Sequence, residues 1–279
     1  MLIRAFLAPF ILLALALASG AAQAEARIVS LGSDVTEIVF ALGHGKQIVA
    51  VDDTSTWPAA TAKLPKLGYL RSLAPEPILA QRPTVILAGE AAGPDAVLRQ
   101  AERAGVQIIR VPEGHSAAGL AAKIRTIAAA LNAKPEGERL AAATLARLSP
   151  PPASANPPRM LLVLATAPGR VLAAGSGTAG DAFIRMVGGT NAFLAEGYKP
   201  LSAEAALAAR PEVILVPSHV AGIMGGLAAL TRDPVLSRTP AVRNSHIIVV
   251  DSLAAMNFGP RLPEAIAALR AKLGELGVR

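Results

Sequence analysis

Leu73-Ala-Pro-Glu76-Pro-Ile-Leu79-Ala-Gln-Arg82-Pro83-Thr-Val85-Ile-Leu87-Ala88 recurs near the other end of the chain as Leu201-Ser-Ala-Glu204-Ala-Ala-Leu207-Ala-Ala-Arg210-Pro211-Glu-Val213-Ile-Leu215-Val216, with nine of sixteen positions identical. A Gly-Tyr pair precedes each copy, Gly68-Tyr69 and Gly197-Tyr198. The copies lie much farther apart than the ~20–50 residue period of a solenoid, so the chain reads as two similar halves. In each copy a short helix carrying a glutamate meets an Arg-Pro stop and gives way to a β-branched apolar strand. That is the helix-to-strand unit of an α/β domain. Two such lobes, each a mainly parallel sheet flanked by helices, leave a cleft between them.

Working outward, residues 26–31 read as a strand and Gly32-Ser33-Asp34 opens a helix through Ala41, with Ser33 as N-cap and Gly43 beyond its end. Strands at 46–51, 84–88 and 106–111 alternate with a helix over 95–104, the pattern of a parallel sheet covered by helices. From Ser116 the rhythm changes. Residues 117–131 and 135–148 are Ala-rich with apolar residues at helical spacing and no strand between them, and Pro135 suits a first helical turn. A Pro-rich segment over 149–158 reads as a stiff spacer. Beyond it the alternation resumes at 159–165 and runs through strands at 213–216 and 247–250 to a helix over 263–276.

Residues 1–24 have the three parts of a secretory signal: Arg4 at the positive start, an apolar stretch over 6–18, and Ala22-Gln23-Ala24 as a small-residue cleavage site. The apolar stretch falls short of the ~20 residues that a spanning helix needs. The chain has no cysteine, so it forms no disulfide and carries no thioether-linked lipid. Its formal charge of +7 is spread along the sequence. Export and the lack of a basic cluster argue against a nucleic-acid partner.

The local motifs of enzymes are weak. Gly175-Ser-Gly177-Thr-Ala-Gly180 matches a dinucleotide-binding glycine pattern, but as a lone match it equally describes a glycine turn in which Thr178 or Asp181 caps the next helix. No serine sits in a Gly-x-Ser-x-Gly frame, and His44, His115, His219 and His246 form no zinc-binding pair. Tyr69 differs, since it lies on a loop with Arg71 two residues away. A phenolate is a hard anionic donor suited to ferric iron and is one of the axial ligands used for haem.

Five segments together, 27–37, Leu64-Pro-Lys-Leu-Gly-Tyr-Leu-Arg-Ser-Leu73, 88–94, 174–181 and Phe258-Gly-Pro-Arg261, resemble the periplasmic haemin-binding proteins of bacterial haem ABC importers. These are helical-backbone solute-binding proteins related to cobalamin and siderophore receptors. The resemblance implies an N-terminal lobe over 25–134, a connecting helix over 135–148, the linker 149–158 and a C-terminal lobe over 159–279. Haem is then the transported ligand, held in the cleft, and the protein is a binding protein and no enzyme.

By the same resemblance Tyr69 falls on the iron ligand, and Glu76 and Glu204 fall on the surfaces that dock onto an inner-membrane permease. An outer-membrane haem receptor system would supply the ligand. Some members use a second-lobe histidine where this chain has Ala165-Thr-Ala-Pro168. His219, after the strand at 213–216, is the candidate substitute. Arg71, Arg261 and Arg243 are candidates for the propionates, with Met224 and Met256 for the pocket wall. Cobalamin or a ferric siderophore in the same fold is the first alternative, and an exported nucleotide-cofactor enzyme built on the Gly175 turn is the second.

Overall fold

A computed structural model describes residues 26–150, 154–167 and 169–278. The expected signal segment 1–24 and part of the Pro-rich spacer lie outside the described residues. The first lobe runs β1 (Ile28–Leu31), α1 (Ser33–Ala41), β2 (Ile48–Val51), α2 (Pro75–Ala80), β3 (Val85–Gly89), α3 (Asp95–Arg103) and β4 (Gln107–Val111). Its strands form one parallel sheet in the order β2-β1-β3-β4. β1 and β3, the inner strands, are buried along their whole length, as expected of strands covered on both faces, and Ser30 is the one polar residue in the two. The sequence places the cap of α1 at Ser33. The structure moves it to Gly32, whose φ of 121° suits glycine alone, and puts Ser33 in the first turn.

Two antiparallel helices follow, α4 (Ala117–Ala130) and α5 (Lys134–Ala146). They approach so closely that a Cβ on Gly137 would sit 2.3 Å from that of Ala128. The helix expected at 135–148 is therefore one arm of a hairpin packed along α4.

The second lobe runs β5 (Arg159–Ala167), β6 (Arg170–Ala174), α6 (Ala179–Val187), β7 (Thr190–Asn191), β8 (Tyr198–Pro200), α7 (Ala203–Ala209) and β9 (Val213–Pro217). It continues through α8 (Ser218–Ile223), α9 (Leu227–Thr231), α10 (Pro240–Arg243), β10 (Ile247–Val250), α11 (Ser252–Met256) and α12 (Leu262–Glu275). β10, β9, β5 and β7 pair in parallel, while β6 and β8 extend the sheet in antiparallel fashion. The β5–β6 hairpin is what the alternating pattern does not reveal, because its tight return leaves no helix between the strands.

The repeated segments occupy equivalent places, α2–β3 and α7–β9. Both helices are followed by an arginine with left-handed backbone, Arg82 at φ 49° one residue past the C-cap of α2 and Arg210 at φ 45° as the C-cap of α7. Each lobe also closes its repeat from the neighbouring strand. Arg27 donates to the carbonyls of Arg82 and Gln81 at 3.0 and 2.6 Å, and Arg159 donates twice to the carbonyl of Ala209 at 3.2 and 2.7 Å. The duplication thus reaches beyond the sixteen residues that display it.

Each sheet has one outer apolar layer of its own, around Ile78 and Leu98 in the first lobe and around Val220 and Leu236 in the second. The inner layers are not separate. Val35, Leu87 and Ile124 belong to one continuous buried cluster with Leu162, Phe183 and Leu215. At about 1.5–3 kcal/mol for each large apolar side chain buried, this shared layer couples the two lobes.

Candidate functional site

The C-terminal ends of the strands in both sheets open onto one cleft, the usual ligand position in such folds. A cavity of about 910 Å³ there takes Trp57, Tyr69 and Arg71 from the first lobe, and Leu164, His219 and Met256 from the second. A smaller hollow of about 220 Å³ adjoins it and shares Tyr69, Arg71 and Asn257. The larger volume falls within the usual range for small-molecule sites.

Tyr69 owes its position to Gly68, whose φ of 94° turns the chain out of the sheet edge. The turn is fixed by hydrogen bonds from Asp53 N–H to the Gly68 carbonyl at 2.9 Å and from Ser72 N–H to the Tyr69 carbonyl at 2.9 Å. The phenol projects into the cleft and is 52% exposed, high for so large a ring. Arg71, also exposed, makes no hydrogen bond or ion pair with another described residue. Its charge is felt by Glu113, whose carboxyl is held below the usual range first by the hydrogen bond to His115, with Lys123 and Arg71 adding to it.

From the other lobe, His219 opens α8. Its Nδ1 lies 2.7 Å from the Ser252 hydroxyl, which also accepts from the His219 N–H at 3.2 Å. Nε2 is the nitrogen left for a ligand. Burial pushes the imidazole pKa below its ordinary 6.5, so the ring is neutral at neutral pH, the form that coordinates metals.

The periplasmic binding protein family model matches residues 28–254, which take in Trp57, Tyr69, Arg71, Leu164 and His219 of the cleft. This chain belongs to that family. Its structure resembles the periplasmic heme-binding protein BhuT in complex with two hemes at TM-score 0.85 and 36% identity, over 90% of this chain and 98% of that one. It resembles the periplasmic heme-binding protein RhuT from Roseiflexus sp. RS-1, in apo form, at TM-score 0.84 and 37% identity, over 90% and 99%. The vitamin B12-binding protein of Vibrio parahaemolyticus is 26% identical over 86% of each chain. Proteins of this family bind solutes and are not enzymes.

In this periplasmic binding protein the cleft floor is a polar seam between the lobes. The Lys123 amine, 3% exposed, pairs with Asp34 and donates to the Asn257 carbonyl at 2.9 Å. The Asn257 amide in turn donates to the Ser33 hydroxyl. Farther along α1, Glu37 accepts from the Arg261 N–H and from its Nε, both at 2.9 Å, and Arg261 Nη1 donates to Asp251 at 3.0 Å. Burial raises the Glu37 pKa, while the three contributions of Arg261 lower it. Burial is the largest single influence, the neighbouring Asp34 charge adds to it, and the carboxyl ends above its ordinary range.

Three predicted features lie elsewhere than the cleft. Met224 is 5% exposed within the outer apolar layer of the second lobe, because α8 turns its far end into that layer. Arg243 ends α10, ahead of β10, and so sits exposed near the N-terminal end of that strand, away from the cleft. The Gly175 turn is closed by protein. Its N–H groups bond the carbonyls of Gly197 and Ala195 at 2.9 and 2.8 Å, Thr178 caps α6, and a Cβ on Gly175 would meet the Ala195 oxygen at 1.8 Å. Those donors are not available to a phosphate.

Glu76 and Glu204 occupy matching first turns of α2 and α7, both exposed. Trp57, Asp34, Lys123 and Asn257 are site residues that the sequence reading missed. Trp57 carried a signal, being the single tryptophan and lying just past a strand end.

Proposed function

We propose that this protein is an exported periplasmic receptor that captures ferric haem and delivers it to an inner-membrane ABC permease. One observation carries the reading: a half-exposed phenol, Tyr69, stands beside an uncommitted guanidinium, Arg71, at a cleft with an apolar-walled cavity of about 910 Å³. Phenolate suits ferric iron, and a guanidinium pairs with a carboxylate of the ligand. Tyr69 coordinates the iron, Arg71 holds a propionate, and Leu164 and Met256 cover the porphyrin. His219, with Nε2 free, is the candidate second ligand from the opposite lobe. Residues 1–24 direct export, α5 carries the chain towards the second lobe, and Glu76 and Glu204 dock the permease.

The likeness to heme-binding structures over nearly the whole of their length supports haem, and the B12-binding relatives make cobalamin the competing ligand. Purified residues 25–279 titrated with haemin should give a saturable visible spectrum that Tyr69→Ala shifts or abolishes. A chain that ignores haemin and binds cobalamin overturns the haem reading. A spectrum unchanged by the substitution removes Tyr69 as the ligand.

A further inference from the structure

Arg261, a candidate propionate partner on sequence grounds, has other commitments. Its guanidinium touches two carboxylates, Glu37 and Asp251, so the local charge is already negative and a third carboxylate would be repelled. Its Cζ lies 4.8 Å from the ring centroid of Trp57, within the range of a cation–π contact. Trp57 is 46% exposed, and the loop that carries it is anchored by a network of hydrogen bonds. The buried Asp52 accepts from Gly32 N–H at 2.8 Å, Thr54 N–H at 2.9 Å and the Ser55 hydroxyl at 2.7 Å. Ser55 continues into a buried chain of hydroxyls through Thr36 to Ser30, with steps of 2.8 Å. Lys66 also ties the Ser55 carbonyl at 2.7 Å.

Trp57 and Arg261 together divide the ligand cleft from a second hollow of about 480 Å³ behind them. An exposed indole held this firmly at a cleft is preorganised as a surface for another flat ring, since offset stacking needs an aromatic face that does not have to be ordered first.

We propose that Trp57 is the wall on which the conjugated face of the ligand macrocycle lies, and that Arg261 is a positioning residue for the indole, not a carboxylate ligand. This deepens the haem reading and rests on it. It assigns the two aromatic residues of the cleft different tasks. Tyr69 recognises the metal, and Trp57 recognises the planar ring whatever its metal.

The test compares haemin with haemin dimethyl ester, whose propionates carry no charge. Trp57→Ala should weaken both ligands by a similar factor of roughly ten, the scale of one aromatic stacking contact, and Trp57→Phe should retain most of the affinity. Arg261→Gln should weaken both ligands alike, and adding it to Trp57→Ala should cause little further loss, as expected of residues acting through one another. The single tryptophan gives a second readout: its fluorescence should be quenched on haemin addition, and Arg261→Gln should alter the emission of the unliganded protein.

Unchanged affinity for both ligands in Trp57→Ala overturns the proposal. So does an Arg261→Gln defect seen with haemin and not with the ester, which would return Arg261 to the propionates. Failure of the wild type to bind either porphyrin is the separate failure of the haem reading. Trp57→Phe keeps the test open should the alanine variant misfold.

Discussion

Lys123 of the first lobe donates a 2.9 Å hydrogen bond to the main-chain carbonyl of Asn257 in the second, while its charge is matched by Asp34. A buried amine is tolerated only when its charge and its donors are both satisfied, and this one is satisfied by groups from both lobes. Lys123→Met should therefore leave Asp34 without its cation and lower stability by about 3 kcal/mol. Denaturant unfolding measures this, and a loss below 1 kcal/mol would show that the seam is not structurally important.

Arg71 lines the cleft and has no hydrogen-bond or ion-pair partner among the described residues. Replacing it by alanine should weaken haemin roughly 10- to 100-fold, in line with a charge-assisted hydrogen bond to a partly exposed carboxylate. Affinity for the dimethyl ester should barely change. Equal losses for the two ligands would argue that Arg71 acts on the Tyr69 phenol instead.

His219 gives a pH prediction with a definite sign. Its folded pKa lies below 6.5 because burial disfavours the imidazolium. Its contribution to stability is therefore complete above pH 6.5 and is lost as pH falls through the lower folded value. His219→Gln should flatten the stability profile in that interval. Glu37, raised by burial, acts with the opposite sign: its contribution is complete below 4.5 and lost as pH rises through its folded value. The difference between wild type and His219→Gln isolates the histidine. A downward slope below pH 6.5 that the substitution leaves intact would remove this assignment.

Glu76 and Glu204 are exposed in the matching first turns of α2 and α7. Glu76→Lys and Glu204→Lys should leave the haemin spectrum and affinity intact and reduce permease-dependent haem uptake, the double variant most severely. Loss of haemin affinity in either single variant would count against a purely docking role.

Much of the fold was legible because the repeat carries its own punctuation. Arg-Pro stops and Val-Ile-Leu strands announce α2–β3 and α7–β9 within a residue or two of where they lie. Tyr69 and Arg71 were legible for a similar reason, as they sit on a loop next to that repeat. The β5–β6 hairpin was not, since apolar periodicity cannot distinguish a tight return from a crossover. The Lys123–Asp34–Asn257 seam was also hidden. Each member is an ordinary polar residue in its own segment, and only long-range packing brings 34, 123 and 257 together. Met224 and Arg243 failed for want of direction, because nearness in sequence to a cleft strand does not say at which end of that strand a side chain lies.

The inner apolar layer spans both lobes without a break. A receptor built this way has little freedom to report its cargo by snapping shut. On the present reading the permease must tell a loaded receptor from an empty one by what fills the cleft mouth between the two glutamate-bearing surfaces. Signalling would then depend on the identity of the occupant, with the angle between the lobes carrying almost no information.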